Sequence, residues 1–96
     1  MTTITVINET TGAANGNFDA AAYAGVTFFA TGLAAAEEVD IMLGGGAVLV
    51  PACDAAGPIK LTATSPSRHL PGGPAYVLQK DATVAAGAVY GSPRID

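Results

Sequence analysis

The chain has no tryptophan, one cysteine, one histidine and only four basic residues among its 96. Each shortage closes off a class of protein. The lone Cys53 cannot form an intrachain disulfide, so the stapling used by many small secreted domains is not available, and folding in a reducing cytoplasm is expected. Lys60, Arg68, Lys80 and Arg94 are scattered and the net charge is −4, so the basic footprint of a nucleic-acid binder is missing. No contact with DNA or RNA is expected. The opening residues Met1-Thr2-Thr3-Ile4-Thr5 lack the basic and continuously apolar stretches of a secretory signal. Long apolar runs are scarce too. Ala20 to Ala36 carries no charge and approaches membrane-spanning length, but glycines, threonines and alanines leave it weakly hydrophobic and no basic residue flanks it. It reads as a β-strand with uncharged ends, and no membrane partner is expected.

What is present points to one domain with a thin core. The hydrophobic share is 50%, yet much of it is alanine, and Val, Ile, Leu and Phe together make up under a quarter of the chain. Burial stabilises by roughly 25 cal/mol per Å² of apolar area, to which alanine adds little. A chain this short buries roughly 60–70% of its unfolded surface, enough to fold alone with a small margin. Charged residues are 12%, about half the usual share. A surface poor in charge and rich in Ala, Gly and Thr suits a protein packed against other protein surfaces.

Short β-rich runs separated by Gly, Pro, Asn and Asp dominate the pattern. Thr3 to Asn8 is β-branched, with Ile4 and Val6 on one face and Thr5 and Ile7 on the other. Glu9 to Asn17 has the composition of a loop. Tyr23 to Thr31 places Val26 and Phe28 on one face, Thr27 and Phe29 on the other. Ala34 to Glu38 has helix propensity but is too short for more than a turn. Glu38 to Leu43 alternates cleanly, with Val39, Ile41 and Leu43 inward. Gly44-Gly45-Gly46 then joins it to Ala47–Val50 as a hairpin. After a turn from Pro51 to Pro58, Ile59 to Thr64 alternates with Ile59, Leu61 and Ala63 inward. Arg68-His69-Leu70 forms a brief strand, and Pro71-Gly72-Gly73-Pro74 a hard turn. Ala75 to Lys80 and about Ala85 to Tyr90 close the fold, leaving Gly91 to Asp96 as a tail. The expectation is one all-β domain over residues 1–96. Its plan is a β-sandwich or small barrel, Ig-like or jelly-roll-like, of about seven or eight short antiparallel strands.

The residues that could carry chemistry have the wrong spacing for it. Cys53 and His69 are the sole nucleophile–base pair, and no helix start follows Cys53 to lower its pKa. Glu38 and Asp40 share a strand face, which is simply the solvent side of an amphipathic strand. Asn15-Gly16-Asn17-Phe18-Asp19 lacks the acidic density of a calcium loop. The three glycines lead into a strand where a phosphate loop needs a helix. No enzyme activity, metal or cofactor is expected. Phe28 and Phe29 must point to opposite faces, so one of them is a candidate interface anchor.

From Val26 onward the order and punctuation resemble those of small virion proteins of tailed bacteriophages. The resemblance is carried by VTFFATGL, EEVDIML, a glycine-rich hairpin, IKLTATSPSRHLPGGPAYVLQK and DATVAAGAVYG, about three quarters of the chain. Leu61 to Thr64, Arg68, Gly73-Pro74, Tyr76 to Lys80 and Ala88 to Tyr90 match the group's recurring strand ends and turns. The hairpin departs from the group, being shorter and without its Trp. The resemblance implies a capsid decoration (cement) protein on the virion surface, made in the host cytoplasm. Its partners would be the major capsid protein and further copies of itself, as a homo-oligomer or assembly. The alternative is a tail or fibre accessory module for host-surface or glycan recognition. Residues 1–8 and 91–96 are the expected bridging arms, and Ile4, Val6, Phe29, Arg68, Arg94 and Ile95 the expected interface residues.

Overall fold

The computed structural model describes residues 3–45 and 48–95. Within them lie β1 (Ile4–Thr10), β2 (Ala14–Asp19), β3 (Gly25–Thr31), β4 (Glu38–Gly45), β5 (Val48–Pro51), β6 (Cys53–Asp54), β7 (Gly57–Pro58), β8 (Lys60–Thr62), β9 (Ser67–Pro71), β10 (Ala75–Lys80) and β11 (Gly87–Arg94). No helix occurs among the described residues. Two antiparallel sheets face each other. The first has the order β1-β11-β3-β9, and the second runs β2-β10-β4 with β5 and β8 both paired to the outer side of β4. The all-β sandwich expected from strand alternation is the observed fold.

The second sheet's edge explains why eleven short strands replace the expected seven or eight. Ala52 donates its N–H to the Ile41 carbonyl, and Ile41 in turn donates to Ile59 at 3.4 Å. Ile59 closes the gap by donating to Ala52 at 2.7 Å. One edge strand from Val48 to Thr62 is thus interrupted by a looped-out hairpin, β6–β7. Ala52 and Ile59 stay in the core at its base.

The core is built around a ladder of rings. Phe18 on β2 and Tyr76 on β10 are cross-strand partners in the second sheet. Phe28, on β3 of the first sheet, enters between them. Its ring centroid lies 5.4 Å from Phe18 and 5.5 Å from Tyr76, at 90° and 81°. These edge-to-face contacts add to burial because each ring's positive edge meets a negative face. Tyr23 extends the stack at 5.9 Å from Phe18. The Tyr76 hydroxyl donates to the Pro71 carbonyl at 2.6 Å, which satisfies its polar end, and burial raises its pKa. Val26, Val39, Ile41, Leu61, Leu78 and Val89 complete the interior.

Two glycines let the sheets approach. A Cβ on Gly16 would stand 2.3 Å from the Val6 carbonyl oxygen, so β1 crosses β2 at a point where no side chain fits. One on Gly91 would press on the Phe18 and Phe28 rings at 3.2–3.3 Å. β1 also breaks register with β11 between Thr5 and Ile7 and again before Thr10. The first break shifts the phase of alternation. Ile7 is buried while Ile4 remains exposed and Val6 is half-buried.

Several sequence expectations are corrected. Residues 14–17, read as loop, belong to β2: its inward positions are Ala14, Gly16 and Phe18, so a glycine interrupts the apolar alternation that would reveal a strand. Residues 91–94, read as tail, continue β11 opposite Phe28, Thr27, Val26 and Gly25. Among the described residues β1 pairs no further along β11 than Gly91, and Pro93 is paired with Val26 of β3 alone, a position where a strand tolerates proline. Of the expected bridging segments, residues 4–8 lie in β1 and 91–94 in β11, while residues 1, 2 and 96 lie outside the described residues. Ala63, read as inward, is exposed because β8 ends at Thr62, whose hydroxyl accepts the Ser65 N–H. The β4–β5 pairing fits the expected hairpin, and residues 46 and 47 lie outside the described residues.

Replacing Phe28 by Ala empties the centre of the ring ladder and should cost about 3–5 kcal/mol. Urea denaturation at neutral pH should show that loss. A destabilisation under about 1 kcal/mol would mean that the ladder does not tie the sheets together.

Candidate interaction faces

A site must come from side chains left over once the fold is satisfied, and most charges here are engaged in the fold. The Lys60 ammonium lies 3.2 Å from Glu38 and 3.4 Å from Asp40, so the cation between these acids is a lysine of the neighbouring strand. Those two carboxylates hold the Lys60 pKa above its usual value, the hydrogen bond to Glu38 foremost. Arg68 on β9 bonds Asp54, pinning the β6–β7 hairpin to the first sheet and lowering the Asp54 pKa, chiefly through that hydrogen bond. Both arrangements are exposed ion pairs of small energetic value. Lys80 differs. It is 2% exposed and donates to the carbonyls of Gly12 at 2.7 Å and Asp81 at 3.2 Å, closing one end of the sandwich.

Glu37 closes the same end. Its Oε1 accepts the Ala34 N–H at 2.7 Å and its Oε2 the Val84 N–H at 2.8 Å, joining two loops that are far apart in sequence. These backbone bonds, that to Ala34 foremost, lower its pKa below the usual carboxylate value. The turn it braces contains Ala36 at φ 71°.

With these groups engaged, two outer faces remain. On the first sheet, Thr5, Tyr90, Phe29 and Ser67 form one cross-strand row, and Ser92, Thr27 and His69 the next. Phe29 and Tyr90 stack at 5.3 Å and 32° and are both half-buried. Thr27 Oγ1 and His69 Nδ1 share a hydrogen bond of 3.0 Å, and the imidazole lies over Gly25. Arg94 sits opposite Gly25 at the end of this face. None of these residues is acidic.

The second sheet's outer face is built differently. Asp19, Ala75, Gly44 and Leu49 make one row, Asn17, Val77, Met42 and Pro51 the next, and Asn15, Gln79, Asp40 and Lys60 a third. Small residues in the first row leave a shallow depression of about 640 Å³ between Leu49 and Val77 on one side and Asn17 and Asp19 on the other. Val48, Leu49 and Val50 stand exposed beside it.

The expected interface residues do not form one patch. Phe29 is on the first sheet's outer face, and sequence reasoning missed its partner Tyr90. Ile4 and Arg68 lie at opposite rims of the Phe28 row, Val6 packs near Gly16, and Arg94 and the exposed Ile95 sit at the end of β11. The chemical candidates have different partners. Cys53 Sγ meets the Pro51 carbonyl at 3.6 Å, whereas His69 is bonded to Thr27. Among the described residues no three His, Cys, Asp or Glu side chains come together as a metal site. Comparison finds no family model, no curated protein and no solved structure that matches the chain.

Two outcomes follow from the charged groups. Lys80→Met strands the Gly12 carbonyl and should destabilise the fold by about 1–3 kcal/mol in chemical denaturation, with little change if the ammonium contributes nothing. Glu37, with its folded pKa lowered, contributes stability that is present above its ordinary pKa and lost as pH falls through the lowered value. Unfolding midpoints followed from roughly pH 6 to pH 2 should therefore fall less steeply in Glu37→Gln than in the unmodified chain. Identical acid limbs would remove Glu37 from that role.

Proposed function

We propose that this chain is a structural virion protein of a tailed phage, a capsid decoration protein that stabilises the head by bridging capsid subunits. One observation carries the reading: most acidic and basic side chains are turned to intramolecular bonds, which leaves one outer face of aromatic and hydroxyl-bearing residues and a second with a small and apolar stretch, Ala75, Gly44, Leu49, Val77 and Met42, between Asp19 and the Asp40–Lys60 pair. Such faces bind protein surfaces through shape and apolar contact with a low desolvation cost. The chain is read as an assembly component and not an enzyme. On the particle, many copies would each make a modest contact, and multivalency would turn these into a lasting coat. The resemblance to phage virion proteins over about three quarters of the chain points the same way. A stable contact needs on the order of 800 Å² from each partner, which one sandwich face of this size can supply.

A second reading is favoured by the Phe29–Tyr90 pair beside Thr27, His69 and Ser92. Aromatic rings flanked by hydroxyls also suit a sugar, so a tail or fibre module for glycan recognition is the competing function.

Stoichiometry separates the two. Quantitative mass spectrometry of purified particles should find this chain at copy numbers comparable to the major capsid protein. A handful of copies per particle would favour the tail or fibre module, and absence from particles would sink both.

A further inference from the structure

We infer that the two outer faces of the sandwich are a matched pair, the Phe29–Tyr90 face of one copy seating on the Gly44–Ala75 depression of the next. The occupant is thus a second copy of this chain. Its biological use rests on the decoration reading, but the contact is a property of the isolated protein and is tested without particles.

Shape is the first argument. The first sheet presents adjacent aromatic side chains, half-buried and stacked on each other at 5.3 Å. The second sheet presents a hollow of about 640 Å³ where Gly44 and Ala75 withhold side chains while Leu49 and Val77 stand up beside them. Rings anchored in such a hollow are the usual centre of a protein interface. Charge is the second argument. Net charge is −4, so copies repel unless the contact avoids placing acids together. The second-sheet face carries Asp19 and Asp40 and its Glu38–Lys60–Asp40 cluster, so stacking it on itself brings carboxylates face to face. The first-sheet rows contain no carboxylate and carry His69 and, at the end of β11, Arg94. First face against second face is the arrangement that opposes unlike surfaces.

Area agrees. The molecule measures 35 × 29 × 25 Å, so one broad face is of the order of the ~800 Å² per partner found in standard interfaces. Since the two faces lie on opposite sides of the sandwich, the contact is heterologous. It propagates as a row or closes as a ring and does not stop at two.

That property supplies the test. Sedimentation velocity is run on the unmodified chain, on Phe29→Asp, on Ala75→Arg, and on an equimolar mixture of the two variants, at up to about 1 mM. The unmodified chain should give a series of species that grows with concentration. Each variant alone should be monomeric, its association weakened about a hundredfold or more, because each lacks one face. The mixture should form a dimer and nothing larger, since one intact first face meets one intact second face. A monomeric unmodified chain at every concentration would overturn the inference, and so would a variant that still dimerises alone, the mark of a two-fold contact. Circular dichroism confirms that both variants are folded, and Phe29→Ser replaces Phe29→Asp if the charge prevents folding. These results leave the virion stoichiometry untouched, so either proposal can fail without the other.

Discussion

The insertion of Phe28 between Phe18 and Tyr76 is the contact on which the remainder of the sandwich depends. Large apolar residues are few, so the usual solution of broad aliphatic layers is not open to this chain. Three rings from two sheets, in edge-to-face contact and with the tyrosine hydroxyl bonded to Pro71, concentrate burial at one point. Around it the backbones must come close, which explains Gly91 beneath the rings and Gly16 against Val6. A thin core and close sheets are one design: alanine and glycine fill the space that larger residues would need.

The same economy governs the charges. Lys60, Arg68 and Lys80 all have partners within the fold, and Glu37 stitches two loops together through their backbone N–H groups. Exposed ion pairs of this kind add little stability, but they occupy the charges locally. The first outer face is left with aromatic and hydroxyl-bearing groups and the second with a stretch of small and apolar residues between its charges, beside which the apolar β5 stands exposed. Among the described residues β5 pairs with β4 alone, yet Pro51 at its end lacks an N–H and limits strand addition there. Broad faces are therefore better placed than strand edges to meet a partner.

Chain order adds a kinetic constraint. Successive strands cross from one sheet to the other, and among the described residues β4–β5 and β6–β7 are the sole pairings between strands consecutive in sequence. Such non-local pairing makes folding slow relative to helical domains of the same length. The Gly72-Gly73 turn shows how tight the crossings are. A Cβ on Gly72 would collide with the Tyr23 carbonyl, and Gly73 adopts φ 109°.

Alternation and turn residues alone determined the fold class, the inward face of β4, the pairing of β4 with β5 and the placing of Phe28 and Phe29 on opposite faces of β3. Those features are legible because side chains on a strand alternate with period two whatever the strand later packs against. β2 was hidden because Gly16 occupies an inward position, and its reason is a backbone contact with Val6 that no local pattern records. The continuation of β11 past Gly91 was hidden for a like reason, since Pro93 lacks the N–H of a central strand and its pairing with Val26 is set by β3. The inward turn of Lys80, the Glu37 clasp and the pairing of Tyr90 with Phe29 depend on residues far apart in the chain. Only the tertiary structure decided them, because burial and hydrogen bonding are settled by what faces a residue across the sandwich and not by its neighbours in sequence.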